Sequence, residues 1–101
     1  MAKPKGDSIL IDSSDHRCFY SRKPTTEVHH VMNGNADRRK ADEDGLWIYV
    51  TRSRHDWLHN TPDGKKEMRR LKALAQQAYE KTHSHAEWMR RYHKNYVDID
   101  G

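Results

Sequence analysis

The sequence predicts a small α+β domain, β-prone in its first half and helical in its second. Three observations carry this. Residues 46–51 (LWIYVT) form a run of aromatic and β-branched side chains, the composition of a strand. Met68, Leu71, Ala75 and Ala78 recur at the three-and-four spacing of a buried helical face. Ser84-His85-Ala86-Glu87 has the form of a capping box and marks the start of a last helix.

The chain has 101 residues, room for one domain. Hydrophobic and charged residues each make up 34%, so the core is small and needs a staple: a metal, a disulfide or a partner. Cys18 is the only cysteine, which excludes a disulfide within the chain. The formal charge is +4 with His neutral, and eight His add positive charge in acid. A small basic domain points to a polyanion partner, usually nucleic acid. No apolar run reaches the roughly 20 residues that span a bilayer. No hydrophobic region follows Lys3 and Lys5 as it does in a signal peptide. The expectation is an intracellular, cytoplasmic protein, monomeric or weakly dimeric.

Taken in order, residues 1–7 are a flexible basic tail, 8–96 a single domain and 97–101 an acidic tail. Residues 8–12 hold a short β-prone patch (Ile9, Leu10, Ile11), closed by a turn at Ser13, Ser14 and Asp15. Residues 17–22 and 26–31 read as the arms of a short hairpin broken at Lys23-Pro24. Asn33-Gly34 is a turn dipeptide. Residues 36–44 are predicted to form a charged helix capped by Asn35 and ended by Gly45. After the strand at 46–51, Thr51 or Ser53 caps a short helix carrying His55, Trp57, Leu58 and His59. Thr61-Pro62-Asp63-Gly64 reads as a turn, 65–82 as the longest helix and the segment around 84–95 as the last. Trp88, Met89 and Tyr92 form its apolar face, with Tyr96 packing back beyond it.

The chemistry concentrates in 27–60. His55 and His59 stand at i and i+4, on one helix face about 5–6 Å apart, where two imidazoles share a metal. The third ligand is His29 or His30, since neighbours on a flat strand point to opposite faces while a strand end lets both line one cleft. The unligated His is then a base with a pKa near neutral. Three protein ligands leave a coordination position open for phosphate, the arrangement needed for metal-assisted phosphodiester hydrolysis. Arg38, Arg39, Arg52 and Arg54 flank these residues and are candidates to hold phosphates; the basic residues of 65–72 also suit a groove along a nucleic-acid backbone. Cys18 reads as a small core residue, because Ser21 stands where a Cys-x-x-Cys partner would be. His83, His85 and His93 read as surface or capping residues.

His-His, a loop, a strand and a His-x-x-x-His helix together resemble the HNH endonuclease family, in its HHH variant. The wider frame, EVHHVMNGNADRR followed by EDGLWIYV, LKALAQQAYE and SHAEWMRRYHKNY, is similar to small HNH-type proteins of bacteriophages. The resemblance covers residues 17–96. It implies a ββα-metal core at about 26–60, made of a short hairpin, a strand and a helix, followed by C-terminal helices at about 65–95. It further implies His29, His55 and His59 as ligands of one divalent ion (Mg²⁺, Mn²⁺, Ni²⁺ or Zn²⁺), His30 as general base, and hydrolysis of DNA, or of RNA, to 5′-phosphate and 3′-hydroxyl ends. The chain departs from the pattern at the central Asn, absent between Ala36 and Val50, where Asp42 or Asp44 is the candidate substitute. The second function class is a non-catalytic phage binding protein on the same scaffold, acting on DNA or on a host defence nuclease such as a CRISPR effector.

Overall fold

The computed structural model describes residues 6–97. The tails expected at 1–7 and 97–101 lie outside them, apart from Gly6, Asp7 and Val97. The described chain is a small α+β fold, a two-stranded antiparallel sheet with four helices. In order these are β1 (Val28–His30), α1 (Asn35–Asp44), β2 (Trp47–Tyr49), α2 (Arg52–Asn60), α3 (Pro62–Tyr79) and α4 (His85–Tyr92).

The two strands pair Val28 with Tyr49, His29 with Ile48 and His30 with Trp47. Because side chains alternate along a strand, His29 and Ile48 share one face of the sheet. Ile48 belongs to the main core with Leu46, Leu58, Leu71, Ala75 and Trp88. Val28, Trp47 and Tyr49, on the other face, pack with Ile11. Residues 46–50 are all buried, which explains why this run forms the sheet's central support. Removing a Leu or Ile such as Leu46, Ile48 or Leu58 from water contributes about 1.5–3 kcal/mol each.

The expected hairpin between 17–22 and 26–31 does not form. A single bridge joins Arg17 to Pro24, and the chain between them turns tightly, with Arg22 in the left-handed region at φ 63°. Pro24 brings no N–H to a ladder, so the pairing cannot extend, and β1 takes the apolar run of β2 as its partner instead. Cys18 sits fully buried in this turn, as a core residue. Residues 8–12 also form no strand. Their backbone is tied to the start of β2 by Ile9 N–H donating to Gly45 O (2.9 Å) and Ser8 Oγ–H donating to Trp47 O (2.7 Å).

Helix ends differ from expectation: α3 stops at Tyr79 rather than at residue 82 and α4 at Tyr92 rather than near 95, and two helix starts are shifted as well. Asn35 is the first residue of α1, and Gly34 takes the cap position. The Thr-Pro-Asp-Gly segment is the first turn of α3 rather than a separate turn, because Pro62 stands at a first-turn position that needs no N–H. Thr61 serves both helices: its hydroxyl donates to Trp57 O at the end of α2 (2.7 Å) and accepts from Gly64 N–H in α3 (2.9 Å). Thr51 caps α2 and Ser84 caps α4, both as the sequence indicates. At Gly45 the chain leaves α1 at φ 73°, a conformation that L side chains rarely adopt.

Polar side chains fasten α4 to α1. Arg91 reaches Asp44 (2.6 Å) and Glu43 (2.7 Å), Tyr92 O–H donates to Asp44 (2.5 Å), and Lys40 Nζ donates to Arg91 O (2.6 Å). Burial first, then the hydrogen bond to Asp44, pushes the Tyr92 hydroxyl well above its ordinary pKa. Among the described residues no helix is long and apolar enough to cross a membrane.

Candidate metal centre

β1 and α2 bring three histidines together. His29 is the middle residue of β1, and His55 and His59 stand one turn apart on α2. One ligand nitrogen from each lies within 4.8 Å of the others. The ring centroids are 5.1 Å apart for His29–His55, 5.3 Å for His29–His59 and 4.8 Å for His55–His59. Nitrogens around a tetrahedral ion with bonds of ~2.0–2.1 Å stand roughly 3.3 Å apart. Closing the remaining gap takes modest ring rotations, so the cluster could hold a metal ion.

The donor set suits a cation. A metal needs imidazole in its neutral form. Burial, then the neighbouring His55, His59 and His30, lowers the His29 pKa to about 3, so this ring is neutral at physiological pH. His59 is held below its ordinary value by partial burial and by His55, with Asp56 opposing. Two of the three rings, His55 and His29, are also aimed by a neighbour. Glu27 Oε2 lies 2.5 Å from His55 Nδ1, which leaves Nε2 for a metal. Met68 Sδ lies 3.0 Å from His29 Nε2; when that nitrogen carries the proton, the lone pair is on Nδ1.

His30 is adjacent in sequence but differently held. Its Nε2 lies 2.5 Å from Asp42 Oδ1 on α1, and its side chain is 9% exposed. A carboxylate there fixes the ring with the proton on Nε2, leaving Nδ1 as the basic nitrogen. His30 ends β1, and it lines the same cleft of about 320 Å³ as His29, His55 and His59, together with the Asn33-Gly34 turn and Arg38. None of the described residues that line this cleft is acidic. The arrangement can therefore accept an anion beside the four histidines.

The four arginines singled out by sequence are dispersed. Arg38 lines the cleft from the first turn of α1. Arg39 is exposed on the same helix, outside the cleft lining. Arg52 pairs with Asp56 (3.2 Å) and Glu27 (3.5 Å). The Arg54 guanidinium stacks over Tyr20 (4.9 Å) and Trp57 (4.8 Å). Sequence reasoning missed Glu27 and Met68. Glu27 lies two residues before His29, hence on the same side of an extended chain, and that period was its available signal. Met68 had none, since its helical spacing marks it only as core.

Compared with known proteins, the chain matches no family model, no curated protein and no solved structure.

Proposed function

We propose that the chain is a metal-dependent phosphodiesterase, a hydrolase of nucleic-acid backbones. Within that class it reads as an HNH-type endonuclease on a ββα-metal core that cuts DNA, with His29, His55 and His59 as metal ligands and His30 as general base. One observation carries the reading: three mutually close histidines beside a fourth whose far nitrogen is occupied by a carboxylate. β1 and β2 pair antiparallel and α2 follows them, with α1 inserted between the strands; one proposed ligand on β1 and two on α2 support the ββα-metal assignment.

Each residue then has a task. His29, His55 and His59 would hold the ion, and three neutral imidazoles suit Zn²⁺ or Ni²⁺ better than Mg²⁺. Bound there, a divalent ion supplies charge neutralisation at the scissile phosphate and at the leaving oxygen. His30 Nδ1 takes a proton from the attacking water. Asp42 holds the ring in the required tautomer and stabilises the imidazolium that results, so this carboxylate stands in for the missing Asn. Arg38 offers a guanidinium to phosphate at the cleft edge.

The test is nicking of supercoiled plasmid by purified protein with EDTA or with Mg²⁺, Mn²⁺, Ni²⁺ or Zn²⁺ added singly. Cutting is expected with at least one metal and none in EDTA. His30→Ala should lower the rate at least about 100-fold, the scale of general-base catalysis, while metal binding measured by calorimetry stays intact. Normal cutting by His30→Ala would remove the base assignment. No cutting by folded protein with any metal would leave the binding-protein reading.

A further inference from the structure

A second cleft of about 320 Å³ opens beside the histidines, between α3 and the segment that follows α4. It shares Asn33 and His59 with the first cleft, so the two lie side by side. Its walls carry Lys65, Arg69 and Lys72 from α3, and Lys94 and Tyr96 from beyond α4. Positions 65, 69 and 72 are spaced i, i+4 and i+7, which sets three cations in one stripe along the helix.

The stripe is not balanced from within. Among the described residues none of Lys65, Arg69, Lys72 or Lys94 has a carboxylate within ion-pair distance. Arg70, elsewhere on the same helix, is matched by Glu67 at 2.6 Å. Lys72 is held below its ordinary pKa by burial, then by Lys94 and Arg69, with Asp37 opposing. Like charges are thus crowded and partly desolvated, a cost that a bound polyanion would offset.

Buried polar groups hold the segment that carries Lys94 and Tyr96. Trp88 Nε1–H donates to Lys94 O (2.8 Å), and Gln76 Oε1 accepts from Tyr96 N–H (2.7 Å). Gln76 is fully buried and also donates to Asn95 Oδ1 (2.7 Å). His93 ends α4 in the left-handed region at φ 66° and turns the chain toward this position. Lys72 and Lys94 stand 5.6 and 5.5 Å from the Tyr96 ring centroid.

We propose that this cleft is a second binding site, a track for the sugar–phosphate backbone of the DNA strand that reaches the histidines. The proposal takes its ligand from the nuclease reading. The stripe from Lys65 to Lys72 rises about 10 Å along α3, roughly three nucleotides of duplex axis at 3.4 Å each. An elongated row of cations beside a hydrolytic cleft fits a strand better than a lone phosphate.

The experiment measures binding in EDTA, where no metal chemistry contributes. Anisotropy of a fluorescein-labelled 20-base-pair duplex is followed from 50 to 200 mM KCl. Lys72→Gln/Lys94→Gln should lower the slope of log K against log salt by about 2, and so should Lys65→Gln/Arg69→Gln. Affinity at 50 mM salt should fall at least about 10-fold in each. Lys23→Gln/Arg90→Gln removes equal charge at exposed positions outside both clefts and should leave the slope within about 0.5 of the parent. Circular dichroism of each variant verifies folding. An unchanged slope in the folded cleft variants, or an equal drop in the control, would overturn the track. So would competition by polyglutamate as effective as DNA at equal charge, which would point to an acidic protein. A slope that falls as expected in a protein that fails to nick with any of the four metals upholds the track and rejects the nuclease. Nicking with an unchanged slope does the reverse.

Discussion

Glu27 carries more of the site than its place in the sequence suggests. Its carboxylate accepts from Nδ1 of His55, which leaves Nε2 of that ring for the proposed ion. Glu27→Gln keeps a polar group but removes the charge. The expected result is a 10–100-fold loss of metal affinity, measured by competition with a chromogenic chelator; an unchanged affinity would mean His55 needs no such support. His29 makes a second residue-level prediction. Its pKa is about 3 in the folded chain and near 6.5 once unfolded, so the unfolded state binds more protons between those values. Stability of the metal-free protein is therefore fully present above pH 6.5 and is lost as pH falls toward 3. By pH 5 the loss from His29 is about 2 kcal/mol, read from urea midpoints in EDTA. A flat profile between pH 7 and 5 would refute the burial of a neutral His29. At this scale the cluster of His29, His55 and His59 was legible from the i, i+4 spacing and the His pair taken together, since neither pattern alone separates a site from surface histidines. Glu27 was not, since a lone carboxylate two residues upstream matches too many surfaces to be singled out.

The helices were legible where a cap or a periodic apolar face announced them. Ser84 and Glu87, the Met68–Leu71–Ala75 stripe and Gly45 each mark a boundary or face that the structure contains. The hairpin was misread because β-prone residues say nothing of which strand pairs with which; β1 found its partner 19 residues on, as Val28 to Tyr49 and His30 to Trp47. The start of α3 was misread because Thr-Pro-Asp-Gly fits both a turn and a capped first turn. That first turn is where α2 and α3 lock. A Cβ added at Gly64 would stand 2.0 Å from Trp57 O and 2.7 Å from Leu58 Cα. Gly64→Ala should therefore destabilise the fold by about 1–3 kcal/mol or more, although Ala is the better helix former. Its effect should extend to metal affinity, because α2 carries two ligands. A Gly64→Ala protein as stable as the parent in urea would show that the helix pair can separate without cost.

For the molecule as a whole, α+β class followed from the run at 46–51, the apolar spacing of 68–78 and the cap at Ser84, and a small core from composition, while the packing of α4 on α1 did not. Arg91, Asp44 and Lys40 are polar residues that sequence alone assigns to solvent, yet with the Tyr92 hydroxyl they form the seam. One consequence concerns topology. All of α1 and β2 lie between His29 and His55. An ion shared by those two residues ties the chain into a ring of about 26 residues, and closing such a ring in a disordered chain costs about 3.5 kcal/mol of lost conformations. In the folded chain the β1–β2 ladder has already closed it. The ion therefore discriminates between folded and unfolded forms by that margin, and it guards elements it does not touch. Metal at about 100 times its Kd should raise Tm by about 10–20 °C over EDTA. Chelation should quicken amide exchange in α1 and β2, inside the ring, more than in α4, outside it. Equal exchange in the two regions would show that the ring is open and that the three histidines do not share an ion.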